Sequence, residues 1–321
     1  MQRNKKEAAQ GASSNRRKRL LIIIIPLVVV VLLSIAGVFY YQTRIAPFKR
    51  TVLAVDNTTI TMDYFLKRVK WANSDPSSVL EQLTYEQIVK IMAAEFGISI
   101  NDSQVDQQLR VEVAYSKENT TDVTTEAIAA VTDSELNEWY SAQLKTSGLA
   151  DLEYREVIRT DLLAAALQNY LANLVPTQSE QVHLYVNVLE TEADANNVIA
   201  RINAGESFAA VAKEVSVDES REKDGELGWV PRGVTPFDDV IFQLEVGHVS
   251  EPVKLSSGQY AVFFVTEIAA NREIEDDVLQ VLKSRALYTW LEQEVSKHAV
   301  SNNLDEKTLS WVNLQLAKMS K

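Results

Sequence analysis

Cysteine is absent from the 321 residues, and histidine occurs three times, at His183, His248 and His298. The first absence excludes disulfide frameworks, thiolate metal sites and cysteine nucleophiles, and three scattered histidines leave little for a zinc centre. The sequence also lacks a phosphate-binding glycine loop, a dinucleotide fingerprint and a hydrolase nucleophile motif. No cofactor and no metal is therefore expected. Basic charge is scarce outside the N-terminus: residues 1–50 hold ten Lys/Arg against one acid, whereas residues 51–321 hold 22 against 43, a balance of -21. Phosphate neutralisation needs clustered Lys and Arg, so a nucleic-acid partner is not expected for the body of the chain. What the chain does have is apolar residues, 46% of the total. That is too many for a disordered polymer, and the length suits one or two domains.

One apolar run dominates. From Leu20 to Tyr41 the sequence LLIIIIPLVVVVLLSIAGVFYY contains no charge, and as a helix rising about 1.5 Å per residue it matches a hydrocarbon core of roughly 30 Å. Arg16, Arg17, Lys18 and Arg19 precede it, and this basic excess keeps the N-terminus in the cytoplasm. The expectation is a basic tail (1–19), a single transmembrane helix (20–41), a linker (42–50) and an extracytoplasmic body at the cell membrane. A cleaved signal peptide fits the same residues, since Ser34-Ile35-Ala36 supplies the small residues a peptidase needs. Val38 to Tyr41 would then begin the mature chain with exposed apolar side chains, which favours the anchor. Both readings export the same body.

Residues 51–65 read as strand, turn and helix, with Thr61 as N-cap. From 79 to 175 the pattern is helical: Leu80, Leu83, Ile88, Ile91 and Met92 recur at three and four, and Gly97 stops that helix before a cap at Asn101 or Asp102. Thr132 and Glu135 fit a capping box, and a helix over 152–174 ends before Pro176. Lys117 to Thr125 reads as a polar loop. Beyond Pro176 the pattern changes: a strand over 182–189, helices over 192–203 and 207–214, a glycine-punctuated middle, and a strand over 260–265. A long amphipathic helix follows from Val278 to Val295. A lone helix needs a partner, and the helical region before residue 176 is the obvious one. The fold expected is α+β: a helical domain built from residues 51–176 and 269–321, with an α+β module over 177–268 inserted into it.

The module contains GESFAAVAKEVS, GELGW, PFDDVIFQL and GHVSEPV in that order. Residues 180–268 thereby resemble a parvulin-type peptidyl-prolyl isomerase domain, whose motifs are G-x-x-F-x-x-x-A-x-x-x-S, G-[DE]-L-G-W, P-F-x-x-x-x-F-x-L and G-x-V-S-x-P-V. The opening VLAVDNTTITMDYF and the later AAEFGISINDSQVDQQL are similar to the N-terminal domain of SurA/PrsA-type chaperones. The resemblance implies a membrane-anchored extracytoplasmic folding factor whose partners are unfolded or nascent exported polypeptides and Xaa-Pro segments. It also implies site residues. The family's acidic or thiol position falls on Asp218 and the apolar cradle for the proline ring on Leu227, Phe237 and Phe242. The family's two histidines are missing: the first position falls on Val186 and the second on Tyr260, which keeps a hydrogen-bonding group. His183 lies three residues from Val186 and, by strand alternation, on the opposite face.

Isomerising an Xaa-Pro bond is rotation about an amide with a barrier of roughly 18–20 kcal/mol and no obligatory proton transfer. A site accelerates it by holding the ring in an apolar pocket and favouring the twisted amide over either planar form. Asp218 and Tyr260 are the expected catalytic residues, and Leu227, Phe237, Phe242 and Val186 the substrate-binding ones, in an isomerase weakened by the loss of imidazole. Two readings stay open beside this one. Phe237 and Phe242, five residues apart, fit a plain core equally well by pattern, and Asp218 in VDES fits a loop cap. The alternative function is a non-catalytic scaffold with a degenerate parvulin module. Glu192, Asp194, Glu222, Asp224 and Glu226 read as a solvated acidic face, and Trp139, Trp290 and Trp311 as core or domain contacts.

Overall fold

The computed structural model describes residues 32–118 and 123–319. In chain order these residues form β1 (Thr51–Val55), β2 (Thr58–Thr61), α1 (Met62–Ala72), α2 (Pro76–Glu95), α3 (Asp102–Glu118), α4 (Asp133–Ser147) and α5 (Asp151–Leu174). They continue with β3 (Gln178–Leu189), α6 (Glu192–Asn203), α7 (Phe208–Val215), β4 (Glu226–Pro231), β5 (Val253–Lys254), β6 (Tyr260–Glu273), α8 (Asp276–Glu294), β7 (Val300–Asn302) and α9 (Glu306–Met319). The chain divides into two compact units, one of residues 1–91, 100–160 and 295–321, the other of 92–99 and 161–294.

Residues 20–31 of the expected membrane span lie outside the described residues. The remainder is helical from Leu32 to Tyr40, with Leu33 67% and Phe39 68% exposed. The expected linker is also helical, as a π-helical turn over Tyr41–Ile45 and a short helix over Ala46–Lys49. Pro47 does not prevent this, because it stands in that helix's first turn, where no backbone N–H is needed. Among the described residues no helix is long and apolar enough to cross a membrane.

In the first unit β1 is the central strand of a three-stranded antiparallel sheet, β2-β1-β7. Leu53 stands opposite Ile60 on one side and Asn302 on the other, so a strand near the end of the chain completes a sheet begun near its start. The Asp56 carboxylate fastens this closure by accepting from the Ala299 N–H at 2.9 Å and lying 2.7 Å from His298 Nδ1. Thr61 caps α1 as its position suggested, accepting from the Tyr64 N–H. The capping box of Thr132 and Glu135 opens α4, and Asn101, rather than Asp102, caps α3. Between α1 and residues 76–91 of α2 lies a buried ion pair: Arg68, 4% exposed, grips Glu86 through two bonds of 2.6 and 2.9 Å and also donates to the Tyr64 hydroxyl.

In the second unit a four-stranded antiparallel sheet of order β4-β3-β6-β5 separates two apolar layers. Alternation along the strands sends Leu184, Val186, Val188, Ala261, Phe263 and Val265 to one side. It sends Leu189, Val262 and Phe264 to the other, where α6 and α7 cover them with Val198, Phe208 and Val211. Each fully buried side chain of this size contributes about 1.5–3 kcal/mol, so these two layers are the main stabilising element of the module. β3 and β6 run longer than their alternating cores, since Gln178 pairs with Glu273 and Ser179 with Arg272. α8 groups in this second unit with the second half of α5, a helix of the region before residue 176. Gln168 of α5 joins the two, its side chain accepting from the Leu287 N–H at 2.8 Å and donating to the Lys283 carbonyl.

Candidate functional site

The sheet face not covered by α6 and α7 is closed by the segment after β4. Thr235 accepts from the Phe237 N–H, and a short helix follows over Asp238–Ile241. This turn drives Ile241 fully into the sheet and lays the half-buried rings of Phe237 and Phe242 on the same apolar layer. Phe237 meets the Phe263 ring at 5.2 Å, and Val186, 5% exposed, lies among them. A charged imidazole in that layer would be desolvated with no partner, so the aliphatic residue suits its surroundings. Gly225 sets the approach of β4: at φ +82° it accepts from the Val186 N–H, and a Cβ on it would stand 2.7 Å from the Val186 oxygen and 2.8 Å from the Ala212 Cβ. No residue with a side chain fits that position.

The expected site residues divide into three groups. Val186, Phe237 and Phe242 share the apolar face. Leu227 lies on β4 at the irregularity opposite Leu184 and Tyr185, 47% exposed, and Asp218 caps a 3-10 turn over Glu219–Lys223, its Oδ1 accepting from the Ser220 N–H at 2.8 Å. Tyr260 is separated from them, packing on the opposite layer with Val262 and Phe264 under the helices. The histidines are elsewhere too: the His183 ring stacks edge-on against Tyr185 and Trp229, His248 is an exposed turn residue near Glu245, and His298 is in the first unit.

The structure adds residues that the motifs did not point to. Phe263 and Ile241 complete the apolar face; alternation along residues 261–265 carried that signal for Phe263. Arg232 lays its guanidinium 4.0 Å above the Phe242 ring while its Nε donates to Glu180 at 2.7 Å, an arrangement with no local sequence signature. Asp238 accepts from the Gly233 N–H at 2.6 Å. Burial holds its carboxyl above the usual range against the pull of that bond and of Arg232. An apolar platform with one aromatic-stacked cation and a backbone tied by Asp238 can bind a proline ring and its neighbours.

Residues 187–267 match the sequence profile of the PPIC-type PPIase domain, or rotamase. This module is a PPIC-type parvulin domain. The chain has relatives under the names foldase and chaperone. It is similar to the foldase protein PrsA of Clostridium tetani, 25% identical over 248 residues that cover 73% of each chain. It is also similar to the chaperone SurA of Chromohalobacter salexigens, 33% identical over 130 residues, or 37% of this chain and 30% of that protein. The crystal structure of the peptidylprolyl isomerase PrsA from Bacillus cereus aligns over 85% of this chain and 93% of its own, at 20% identity and a TM-score of 0.37. The parvulin match begins at Asn187, one residue past Val186.

Proposed function

We propose that the chain is a membrane-anchored folding factor that binds unfolded exported polypeptides outside the cytoplasm and turns Xaa-Pro bonds in its parvulin domain. The observation that carries the reading is the face formed by Phe237, Phe242 and Phe263, within a segment that matches the PPIC-type profile, together with Val186 just before it. The similarity to foldase PrsA over 73% of each chain supports the folding role. The uncharged run 20–41 behind a basic tail supports the anchor.

The chemistry follows from what the face offers. A proline ring seated against Phe237 and Phe242 loses water and gains apolar contact, while its flanking chain is left to rotate. Twisting the amide removes conjugation, and a site that binds this form more tightly than either planar one lowers the rotation barrier. Asp218 and Leu227 are assigned to the wall of this site, and Tyr260 to a supporting role at most, since its side chain packs with the other layer. The absence of imidazole among Val186, Phe237, Phe242 and Phe263 favours a second reading, a client-binding module without turnover.

Cis/trans exchange in a short Phe-Pro peptide, followed by NMR with the full chain in detergent, separates the two. The isomerase reading expects exchange to quicken and then to fall about tenfold or more in Phe237→Ala, a loss of roughly 1.4 kcal/mol of transition-state binding. Exchange at the uncatalysed rate in high protein concentration would sink turnover and leave binding.

A further inference from the structure

We infer that a groove between the second half of α5 and α8 is a flanking subsite for the client, taking an apolar segment that bears an acidic side chain beside Arg285. This rests on the client-binding reading above. The groove has a volume of about 290 Å³ and a floor of Leu171, Leu174, Ile274, Leu282 and Trp290, all from the second unit. Leu174 is 62% exposed there. An aromatic row borders it, because the Phe96 ring stacks on Tyr170 at 5.0 Å and meets Trp290 at 6.1 Å. Such a surface suits apolar side chains of an extended polypeptide.

Two cations give the groove its sign. Arg232 lines it and has its Nε committed to Glu180. Arg285 also lines it, donates to the Val234 carbonyl at 3.1 Å, and has no carboxylate within ion-pair distance among the described residues. An unneutralised guanidinium over an apolar floor is unusual in a body with 43 acids to 22 bases, and it complements a carboxylate. Arg285 is also held in place. Gln168 bonds both the Leu287 N–H and the Lys283 carbonyl, groups one turn apart that pair with each other in a regular helix, and Arg285 lies between them.

Continuity links the groove to the proline face. The Arg232 side chain that lines the groove is the one stacked on Phe242. An extended segment with its proline at Phe237 and Phe242 therefore passes Arg232 and enters the groove, where its apolar residues meet Leu282 and Trp290 and its acidic side chain meets Arg285.

The test uses two labelled peptides of equal length, each with a Phe-Pro pair and a leucine-rich flank, one with Glu and one with Gln in the flank. Each is titrated by fluorescence anisotropy against the full chain in detergent. The Glu peptide is expected to bind about threefold more tightly, the range of a part-exposed ion pair. That ratio falls to about one in Arg285→Gln and is retained in Arg285→Lys. Leu174→Glu, at an exposed position, lowers affinity for the Glu peptide more than for the Gln peptide. A ratio of one in the parent chain, or a preference that survives Arg285→Gln, overturns the subsite while leaving client binding intact. Failure of the parent to bind either peptide overturns both readings.

Discussion

In the first unit ion pairs join the helices over an apolar core that includes Leu53, Phe65, Leu66, Leu83, Ile88 and Val105. Lys67 meets Glu153, Lys90 meets Glu156, Arg155 meets Asp106 and Arg159 meets Asp102, at 2.6–3.1 Å, and Arg68 with Glu86 lies buried among them. In the second unit a sheet packs between two apolar layers, and an ion pair between helices, Arg201 with Glu214 at 2.6 Å, joins α6 to α7. Exposed pairs contribute about 0–1 kcal/mol each and are screened by salt, whereas a dry layer contributes more and ignores ionic strength. Both units bury apolar cores, but the first carries more ion pairs between its helices, and those pairs are the part of its stability that answers to pH and salt.

The sharpest way to break this contrast is at Arg68. Arg68→Met leaves Glu86 buried without its partner and is expected to cost about 3–5 kcal/mol. Hydrogen exchange should report the loss at β1 and α1 amides and not at β3, while adding Glu86→Leu should recover most of it. Equal loss in both units would show that they unfold as one. Gly225→Ala addresses the other unit. The positive φ and the 2.7 Å approach to the Val186 oxygen predict a cost of about 2–4 kcal/mol, confined to β3 and β4 amides and accompanied by slower Xaa-Pro exchange. An alanine variant as stable as the parent would mean that β4 is free to move away from Val186.

The smallest effect is the acid limb. A side-chain bond with His298 and the Ala299 N–H hold the Asp56 carboxyl below its ordinary 3.8. Because the folded value is the lower one, the stabilisation is complete above the unfolded value and is lost as pH falls through the folded one. Glu135, held down to about 2 chiefly by its bond with Lys117, adds a loss of the same sign. Urea unfolding between pH 5 and 2 should therefore weaken the first unit progressively, and Asp56→Asn should flatten part of that slope. A variant with the parent's slope would remove the Asp56 clasp from the account.

Much of the fold was legible because local signals agreed with one another. Thr191, Thr132 and Thr61 stand where caps were needed, and α6 occupies the expected residues 192–203. The extensions of β3 and β6 were not legible. Residues 178–181 and 271–273 are polar and carry no apolar alternation; they pair because Gln181, buried, donates its side chain to the Arg272 and Glu273 carbonyls. β7 was hidden for a similar reason, being three exposed residues recruited by β1. At the site, the motif order located Phe237 and Phe242, but position in a motif does not fix a face. Tyr260 begins a strand whose even-numbered residues 262 and 264 lie under the helices, so counting along the strand assigns it away from Val186. The Arg232 stack joins residues ten apart through a loop, and no period records that.

The pairing of β7 with β1 has a consequence in time. A chain made from its N-terminus presents β1 and β2 early, yet β1 keeps a bare edge until residues 300–302 arrive. All of the second unit is synthesised in that interval, and its sheet needs nothing beyond residue 273. The parvulin module is therefore finished first, and the helical unit waits in a state that resembles the unfinished chains it is proposed to tend.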